Sequence, residues 1–294
     1  MIGSAANKGA GMTTQANDNA QMTVPELLKE LELCTGQFPK RAVQQAIEQQ
    51  EAVTPHLLGV LEELAASPAS FVERQDYMLH IFAMYLLAQF REKRAYRPLV
   101  TIVSAPGDIP DRLLGDTLTE GLTQLLGSVY DGDPRPLYGL VEDANVEGYV
   151  RSAAIDTFLV LWSSGQMSRD EVVAYYRSLF HGKLEKRGSP AWEGLVSAVA
   201  DLRVPELLEE VREAFANDLV DPMFAGFGEI ERDILGPPRP LRATASSRTP
   251  YRRWTRGTAS TAKNWQQVGR RSCPERPFPQ RLPPRMPLRF IARK

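Results

Sequence analysis

Three histidines are the side chains of this sequence most suited to acid–base chemistry or metal binding: His56, His80 and His181. Each lies on a different predicted helix, and His80 lies inside an apolar run. A histidine there is most simply a core residue hydrogen-bonded to a neighbour, the alternative being a ligand or base. The chain contains no serine-nucleophile motif, phosphate-binding glycine loop or His-Glu-x-x-His pattern. We therefore predict no catalytic residue, no metal site and no cofactor.

Two short acidic segments, Gly115-Asp116 and Asp131-Gly132-Asp133, are the other candidates for metal chemistry. Calcium takes six or more oxygen ligands from a dense loop, and only two or three carboxylates are near here. Asp133 directly precedes Pro134, which favours a simpler role as the N-cap of the helix that this proline begins.

A cluster of charged residues from Arg91 to Arg94 follows the most apolar predicted helix. Cations stabilise the C-terminus of a helix, where unpaired carbonyls gather partial negative charge. The alternatives are a basic binding spot and a salt-bridge ladder between repeats, for instance to Asp116 or Asp131.

The apolar stretch from Tyr77 to Phe90 is too short to cross a bilayer, which needs about 20 residues. We predict a helix buried nearly all round and no membrane association. The N-terminus has no apolar signal region, so we expect a cytoplasmic protein. Cys34 and Cys273 lie far apart, and two thiols are favoured over a disulfide.

Charge divides the chain into two parts. Residues 238–294 contain 15 Lys or Arg and one acid, Glu275, whereas the remainder has 20 basic and 35 acidic residues, a net charge of −15. The basic segment has no apolar periodicity and is rich in proline, which predicts disorder. It is open whether it has no specific function, binds nucleic acid or an acidic partner through its arginines and aromatics, or reflects a shifted reading frame.

The segment between these ends carries repeated signals for the start and end of helices. Thr54-Pro55, Asp133-Pro134 and Ser189-Pro190 combine an N-cap oxygen with a proline at the first helical position. Thr23 to Glu26 and Ser168 to Glu171 have capping-box spacing. Gly127, Gly165 and Gly188 are predicted helix stops. Helices are predicted near 24–33, 40–51, 55–66, 72–93, 95–104, 112–128, 134–143, 147–164, 169–183, 190–201 and 204–217.

From about residue 72 these helices alternate between long and short with a period near forty residues. Arg97-Pro98-Leu99 recurs as Arg135-Pro136-Leu137 at the start of successive short helices. A helix pair that repeats at this spacing cannot bury its apolar face alone, so neighbouring pairs must stack. We predict an all-α fold, an α-solenoid of antiparallel helix pairs over residues 23–236. Disordered segments are predicted at 1–22 and 237–294.

Two resemblances support this architecture. The segment from Tyr149 to Ile155, with Val150-Arg151 and Ala153-Ala154, resembles the opening helix of a HEAT repeat. The body from Val24 to Leu235 resembles the bacterial family known as domain of unknown function 1186. The stretches that carry this resemblance are Phe38–Ala42, Phe90–Ala95, Leu114–Asp116 and Ser128–Asp133. It implies HEAT-like helical repeats and no known activity. Relatives often end in a SEC-C-type zinc module, which this chain, with only Cys273 there, is expected to lack.

Function is inferred from architecture, because stacked helix pairs form a long curved surface that usually holds a protein or peptide. We expect a non-enzymatic scaffold whose partner lies on the concave face of the shorter helices. The alternatives are a nucleic-acid-associated protein acting through the basic segment and, third, an enzyme of unrecognised type. The oligomeric state stays open. The side chains expected to reach the partner are Arg97, Arg135, Tyr138, Tyr175 and Arg177.

Overall fold

A computed structural model describes residues 21–74 and 76–237, and the regular elements in these ranges are helices. The one β-type pairing among them is an isolated antiparallel bridge between Leu33 and Tyr77. The all-α prediction is therefore confirmed. The helices are α1 (Val24–Glu32), α2 (Lys40–Glu48), α3 (Gln50–Ala66), α4 (Pro68–Val72), α5 (Leu79–Phe90), α6 (Tyr96–Val103), α7 (Ile109–Leu114), α8 (Asp116–Glu120), α9 (Leu122–Val129), α10 (Arg135–Glu142), α11 (Gly148–Ser163), α12 (Arg169–Ser178), α13 (Pro190–Leu202), α14 (Leu208–Ala216) and α15 (Phe227–Leu235).

The helices pack mainly in chain order. In one row α3 contacts α5, α5 contacts α9, α9 contacts α11, α11 contacts α13, and α13 contacts α15. The shorter helices α6, α10, α12 and α14 follow α5, α9, α11 and α13 in the sequence, and α6 contacts α10. This order is the one that stacked helix pairs require. It agrees with a solenoid, whose curvature stays a prediction.

Helices α5, α11 and α13 each bury most of their residues. Most of the α5 side chains are buried, as the sequence predicted for Tyr77–Phe90. Ten α11 residues are buried, and this helix packs between α9 and α13. A helix in the middle of a stack is covered on several sides, which explains why its apolar residues do not follow a single stripe. In the described ranges no helix combines the length and hydropathy needed to cross a membrane.

Several predicted helix boundaries are confirmed by their caps. Thr23 and Glu26 form a capping box at the start of α1, and Ser168 and Glu171 form one at the start of α12. Ser189 is the N-cap of α13, with Pro190 at its first position. Gly165 follows the end of α11 with a φ of +74°, a left-handed conformation that suits glycine.

Other boundaries were wrong. Thr54 and Pro55 lie inside α3, where the Thr54 hydroxyl donates a hydrogen bond of 2.7 Å to the Gln50 carbonyl. The single helix predicted over 112–128 is broken at Gly115, whose φ is +51°, and again at Gly121. Gly127 lies inside α9, where it allows a close approach of the Val160 side chain.

Two helices were not predicted as separate elements. The short α4 lies ahead of α5, so the helix expected from residue 72 begins at Leu79 instead. The last helix, α15, packs on α13 and α14 and lies beyond the final predicted helix. The predicted body of residues 23–236 falls in the described ranges. The disorder predicted for 1–22 and 237–294 concerns residues outside those ranges, apart from 21, 22 and 237.

Candidate partner-binding face

The five residues expected to contact a partner all lie on shorter helices. Arg97 is on α6, Arg135 and Tyr138 are on α10, and Tyr175 and Arg177 are on α12. The arginine side chains are accessible, with exposed fractions of 57% for Arg97, 84% for Arg135 and 45% for Arg177. All three are therefore accessible, and their contact with a partner stays a prediction.

Tyr175 is a correction, because the side chain expected at the surface is only 6% exposed. Its ring centroid lies 4.2 Å from that of Tyr138 and 4.8 Å from that of Phe158 on α11. The reason is visible in the spacing of α12, where Tyr175 follows buried Val172 by three residues. Residues three apart share a helix face, so Tyr175 lies on the buried apolar face of α12.

Tyr138 is half-buried at the edge of this aromatic cluster, with its ring stacked on Phe158 at 5.6 Å. The Lys183 ammonium lies 5.7 Å from the Tyr138 ring centroid and 5.4 Å from that of Tyr175, a cation–π arrangement. Lys183 also donates a 2.8 Å hydrogen bond to Glu142. The cluster thus joins α10, α11 and the turn after α12.

The Tyr175 hydroxyl is buried and makes no hydrogen bond within the described part of the chain. Burial raises the pKa of Tyr175 far above its usual value, and the negative charge of Glu142 raises it further. Glu142 acts on this pKa as a neighbouring charge rather than through a well-formed hydrogen bond. The hydroxyl therefore stays protonated, and its position in the core carries a desolvation cost.

A group of charged residues connects α6 to the start of α10. Arg97 donates to Asp131 at 3.1 Å and to Asp133 at 2.6 Å, and the Arg135 guanidinium makes two further hydrogen bonds to Asp133. The hydrogen bonds from Arg135, then that from Arg97, hold the pKa of Asp133 well below its usual range. Asp133 Oδ1 also accepts the Arg135 backbone N–H, so it caps α10 although the helix begins one residue later than predicted.

The same kind of pairing recurs along the shorter helices. Lys183 reaches Glu142 on α10, Arg169 reaches Glu206 ahead of α14 at 3.1 Å, and Arg177 approaches Glu210 on α14 at 3.8 Å. The hydrogen-bonded pairs along this face join residues 34 to 41 positions apart, which is about one repeat. We call this set of pairs, from Arg97 to Glu210, the charged ladder.

The charged ladder uses cations other than those proposed from the sequence. Arg91 is the C-cap of α5 in a left-handed conformation, and Arg94 pairs with Glu92 at 2.7 Å. Asp131, one of the two acids suggested as a partner of this cluster, pairs with Arg97 instead. These contacts agree with the prediction that Arg91 and Arg94 act locally, at the C-terminus of the buried helix α5.

Arg151 on α11 is the most buried of the described charged side chains. From the sequence, it was named only as part of the HEAT-like motif. Its side chain is 2% exposed and donates to Glu185 at 2.6 and 2.5 Å and to the Val141 carbonyl at 2.9 Å. Burial opposes ionisation of Glu185, but the Arg151 hydrogen bonds hold its pKa below the usual value. The pair joins the end of α10, α11 and the segment before α13. The signal for this ion pair in the sequence is a charged residue among the apolar residues at the start of α11.

His80 is the core histidine that the sequence predicted. Its Nε2 donates to the Leu113 carbonyl at 2.9 Å, since a carbonyl only accepts, and its ring stacks on Tyr77 at 5.6 Å. Burial lowers the pKa of His80 to about 4, although the Leu113 hydrogen bond opposes that shift. The imidazole is therefore neutral at physiological pH, with Nδ1 buried and lacking a partner in the described ranges.

Side chains that could bind a metal ion are not clustered in the described residues. In the two described ranges no group of three His, Cys, Asp or Glu side chains is placed to hold a metal ion. Cys34 borders an apolar cleft of about 20 Å³, the size of one water, lined also by Leu33, Phe38 and Phe82. Cys273 lies outside the described residues, so the predicted state of the two thiols stays a prediction.

Comparison with known proteins identifies relatives of this chain and the family to which it belongs. Two relatives, uncharacterised proteins of Chlamydia trachomatis and Chlamydia muridarum, are 35% and 36% identical over 213 residues, which is 72% of this chain and 84% and 85% of theirs. No solved structure matches the chain. Residues 22–236, which include all fifteen described helices, match the family model for proteins of unknown function named DUF1186. The chain is therefore a member of the DUF1186 family.

Proposed function

We propose that this protein is a non-enzymatic scaffold that binds a protein or peptide along the face formed by α6, α10, α12 and α14. The observation that carries the proposal is the charged ladder. Successive shorter helices present a cation beside the carboxylate of a neighbouring repeat, on one side of the stack. Repetition of one contact type across neighbouring repeats is how helical-repeat proteins build extended binding surfaces.

Arg135 shows why the ladder suits recognition as well as stacking. Its side chain is 84% exposed, yet two hydrogen bonds to Asp133 fix its guanidinium. A fixed and exposed arginine loses little conformational freedom when a partner carboxylate arrives, which reduces the entropic cost of binding. Arginine is also enriched among the residues that dominate binding energy.

The aromatic cluster of Tyr138, Phe158 and Tyr175 packs beneath this face. Tyr138 keeps an accessible edge beside Lys183, while buried Tyr175 fixes its ring by packing on it at 4.2 Å. We therefore retain Tyr138 with Arg97, Arg135 and Arg177 as partner contacts, add Lys183, and assign Tyr175 a supporting role. A half-exposed tyrosine held in one orientation offers a large contact area at low entropic cost.

The spacing of the face indicates the kind of partner. Packed helices lie about 8–10 Å apart, and an extended chain advances about 3.3 Å per residue. Acidic residues three positions apart in an extended peptide would thus meet cations on successive helices. We propose an extended acidic segment as the partner, bound through Arg97, Arg135 and Lys183.

Affinity capture from a nuclease-treated lysate of the native host tests this proposal. The full chain is compared with Arg135→Ala/Arg177→Ala and with the matched control Lys29→Ala/Lys40→Ala, which removes two exposed cations from α1 and α2. The face variant should lose about 5- to 30-fold in partner affinity, corresponding to 1–2 kcal/mol at a hot spot, with little change in melting. The control should bind normally.

Equal binding by both variants would contradict the proposed face. Capture that occurs only when the nuclease is left out, and that is insensitive to both substitutions, would favour the nucleic-acid alternative instead.

A further inference from the structure

The last helix of the stack leaves apolar side chains uncovered. In the described ranges, three of the five exposed large hydrophobic residues lie at this end: Met223 at 71%, Phe224 at 43% and Leu235 at 60%. α15 packs inward through Ile230 and Ile234. Met223 and Phe224 come just before it and Leu235 ends it, so the uncovered groups flank a helix that is about 13 Å long for its nine residues.

The segment that carries these apolar groups is rich in carboxylates. Residues 204–237 contain nine Asp or Glu against two arginines. Glu213, Asp218, Asp221 and Glu229 are exposed, and none of them forms an ion pair with a described residue. The surface along α14, the following loop and α15, which we call the terminal surface, is therefore both apolar and negatively charged.

The chain itself supplies a segment with the complementary composition. Residues 239–256 begin four positions after Leu235 and contain six arginines, Tyr251, Trp254 and no acid. Opposite charge favours contact, and aromatic side chains fit exposed apolar groups. Tethering places the segment at an effective concentration in the millimolar range, so weak contacts suffice for occupancy. About five extended residues cover the length of α15.

We propose that residues 239–256 bind the terminal surface of the same molecule. The arginines pair with the carboxylates of α14, the loop and α15, while Tyr251 and Trp254 cover Met223, Phe224 and Leu235. The contact folds the basic segment back over the last repeat and caps the stack. An arginine-rich segment held in this way is withheld from nucleic acid and other acidic partners until it is displaced.

Limited trypsin digestion of the full chain, resolved by mass spectrometry, tests the contact with an internal reference. Cleavage after Arg242, Arg248 and Arg256 should be at least about fivefold slower than after Arg281 and Arg285, which lie outside the proposed segment. The ratio should not depend on protein concentration. The variants Met223→Ser/Leu235→Ser and Glu213→Lys/Glu229→Lys should each bring the two rates together, because they remove the apolar or the acidic component.

The matched controls are Leu33→Ser and Glu62→Lys/Glu120→Lys, which change exposed residues of the same types elsewhere and should preserve the slow cleavage. Equal cleavage rates at both sets of arginines in the unmodified chain would overturn the proposal. Slow cleavage that is lost on dilution would also overturn it, since it would place the segment on a second copy.

Discussion

Tyr175 and Tyr176 are adjacent and both buried, yet their hydroxyls differ in environment. The Tyr176 hydroxyl donates to the Ile155 carbonyl at 3.0 Å, whereas the Tyr175 hydroxyl has no partner in the described part of the chain. An unsatisfied buried hydroxyl destabilises the folded state, and a satisfied one stabilises it by about 1 kcal/mol. The two residues thus form a natural pair for testing the aromatic cluster.

We expect Tyr175→Phe to leave the free energy of unfolding unchanged or to raise it by up to about 1 kcal/mol. Tyr176→Phe should lower it by about 1 kcal/mol, because it removes the hydrogen bond from the Tyr176 hydroxyl to the Ile155 carbonyl. Urea unfolding of the two variants measures both values. Destabilisation by Tyr175→Phe equal to that of Tyr176→Phe would show that the Tyr175 hydroxyl is satisfied.

The lowered pKa of His80 predicts that the stability of the protein depends on pH. Its pKa is about 4 in the folded protein and near 6.5 in an unfolded chain. The unfolded state therefore binds a proton first as the pH falls below 6.5, and stability decreases until the pH reaches about 4. The difference amounts to about 3 kcal/mol at most.

His80→Gln retains an amide donor for the Leu113 carbonyl but does not titrate. The stability lost between pH 6.5 and 4 should be about 2–3 kcal/mol smaller in this variant than in the unmodified protein, as measured by urea unfolding at several pH values. Parallel pH profiles would show that His80 titrates normally in the fold.

At the scale of the elements, the Arg151–Glu185 pair connects two helices and a connecting segment. A pair this buried differs from the exposed Arg212–Glu209 pair, whose side chains are 50% and 72% exposed. Removing one member of a buried pair leaves the other charge uncompensated. Exposed pairs usually contribute less than about 1 kcal/mol.

A double-mutant cycle on each pair measures this difference. Arg151→Met should lower the free energy of unfolding by about 2–4 kcal/mol, and Arg151→Met/Glu185→Met should recover a large part of it. The cycle for Arg212→Met and Glu209→Met should give a coupling energy below about 1 kcal/mol. Similar coupling in both cycles would mean that Arg151 does not organise the α10–α11 junction.

Gly194 allows a close contact between α13 and α11. A Cβ there would lie 2.4 Å from Ser152 Oγ and 3.0 Å from its Cα on α11, whereas one at Gly59 on α3 would meet nothing within 4 Å. Gly194→Ala should destabilise the protein by about 1–3 kcal/mol, and Gly59→Ala should stabilise it by about 0.5–1 kcal/mol. Thermal unfolding compares them. Stabilisation by both changes would contradict the close packing of α11 on α13.

Helix type was predictable because caps and apolar periodicity are local signals, as at Thr23, Ser168 and Ser189. The break of the predicted 112–128 helix at Gly115 was missed because its apolar pattern continues through the break. The burial of Tyr175 was missed because the apolar face of α12 is wide enough to bury two adjacent tyrosines, Tyr175 and Tyr176. The Arg151–Glu185 pair depends on residues 34 positions apart, a contact that no local pattern specifies.

At the scale of the whole molecule, the two proposed surfaces meet at α14 but differ in charge. The binding face extends over α6 to α14 and presents cations held by carboxylates. The terminal surface presents Glu213, Asp218, Asp221 and Glu229, which form no ion pair with a described residue. Surfaces of unlike charge select unlike partners. An acidic segment is expected at the first and the chain's own basic segment at the second.

The most direct test of the binding face is the amide-exchange footprint of the captured partner on the full chain. Exchange should slow in α10, α12 and residues 129–134, the parts that carry Arg135, Tyr138, Arg177 and the carboxylates of Asp131 and Asp133. Residues in α1 and α2 should exchange as in the unbound protein. A footprint confined to residues 221–235, to α1–α3 or to the segment after residue 237, with α10 and α12 unchanged, would contradict the account.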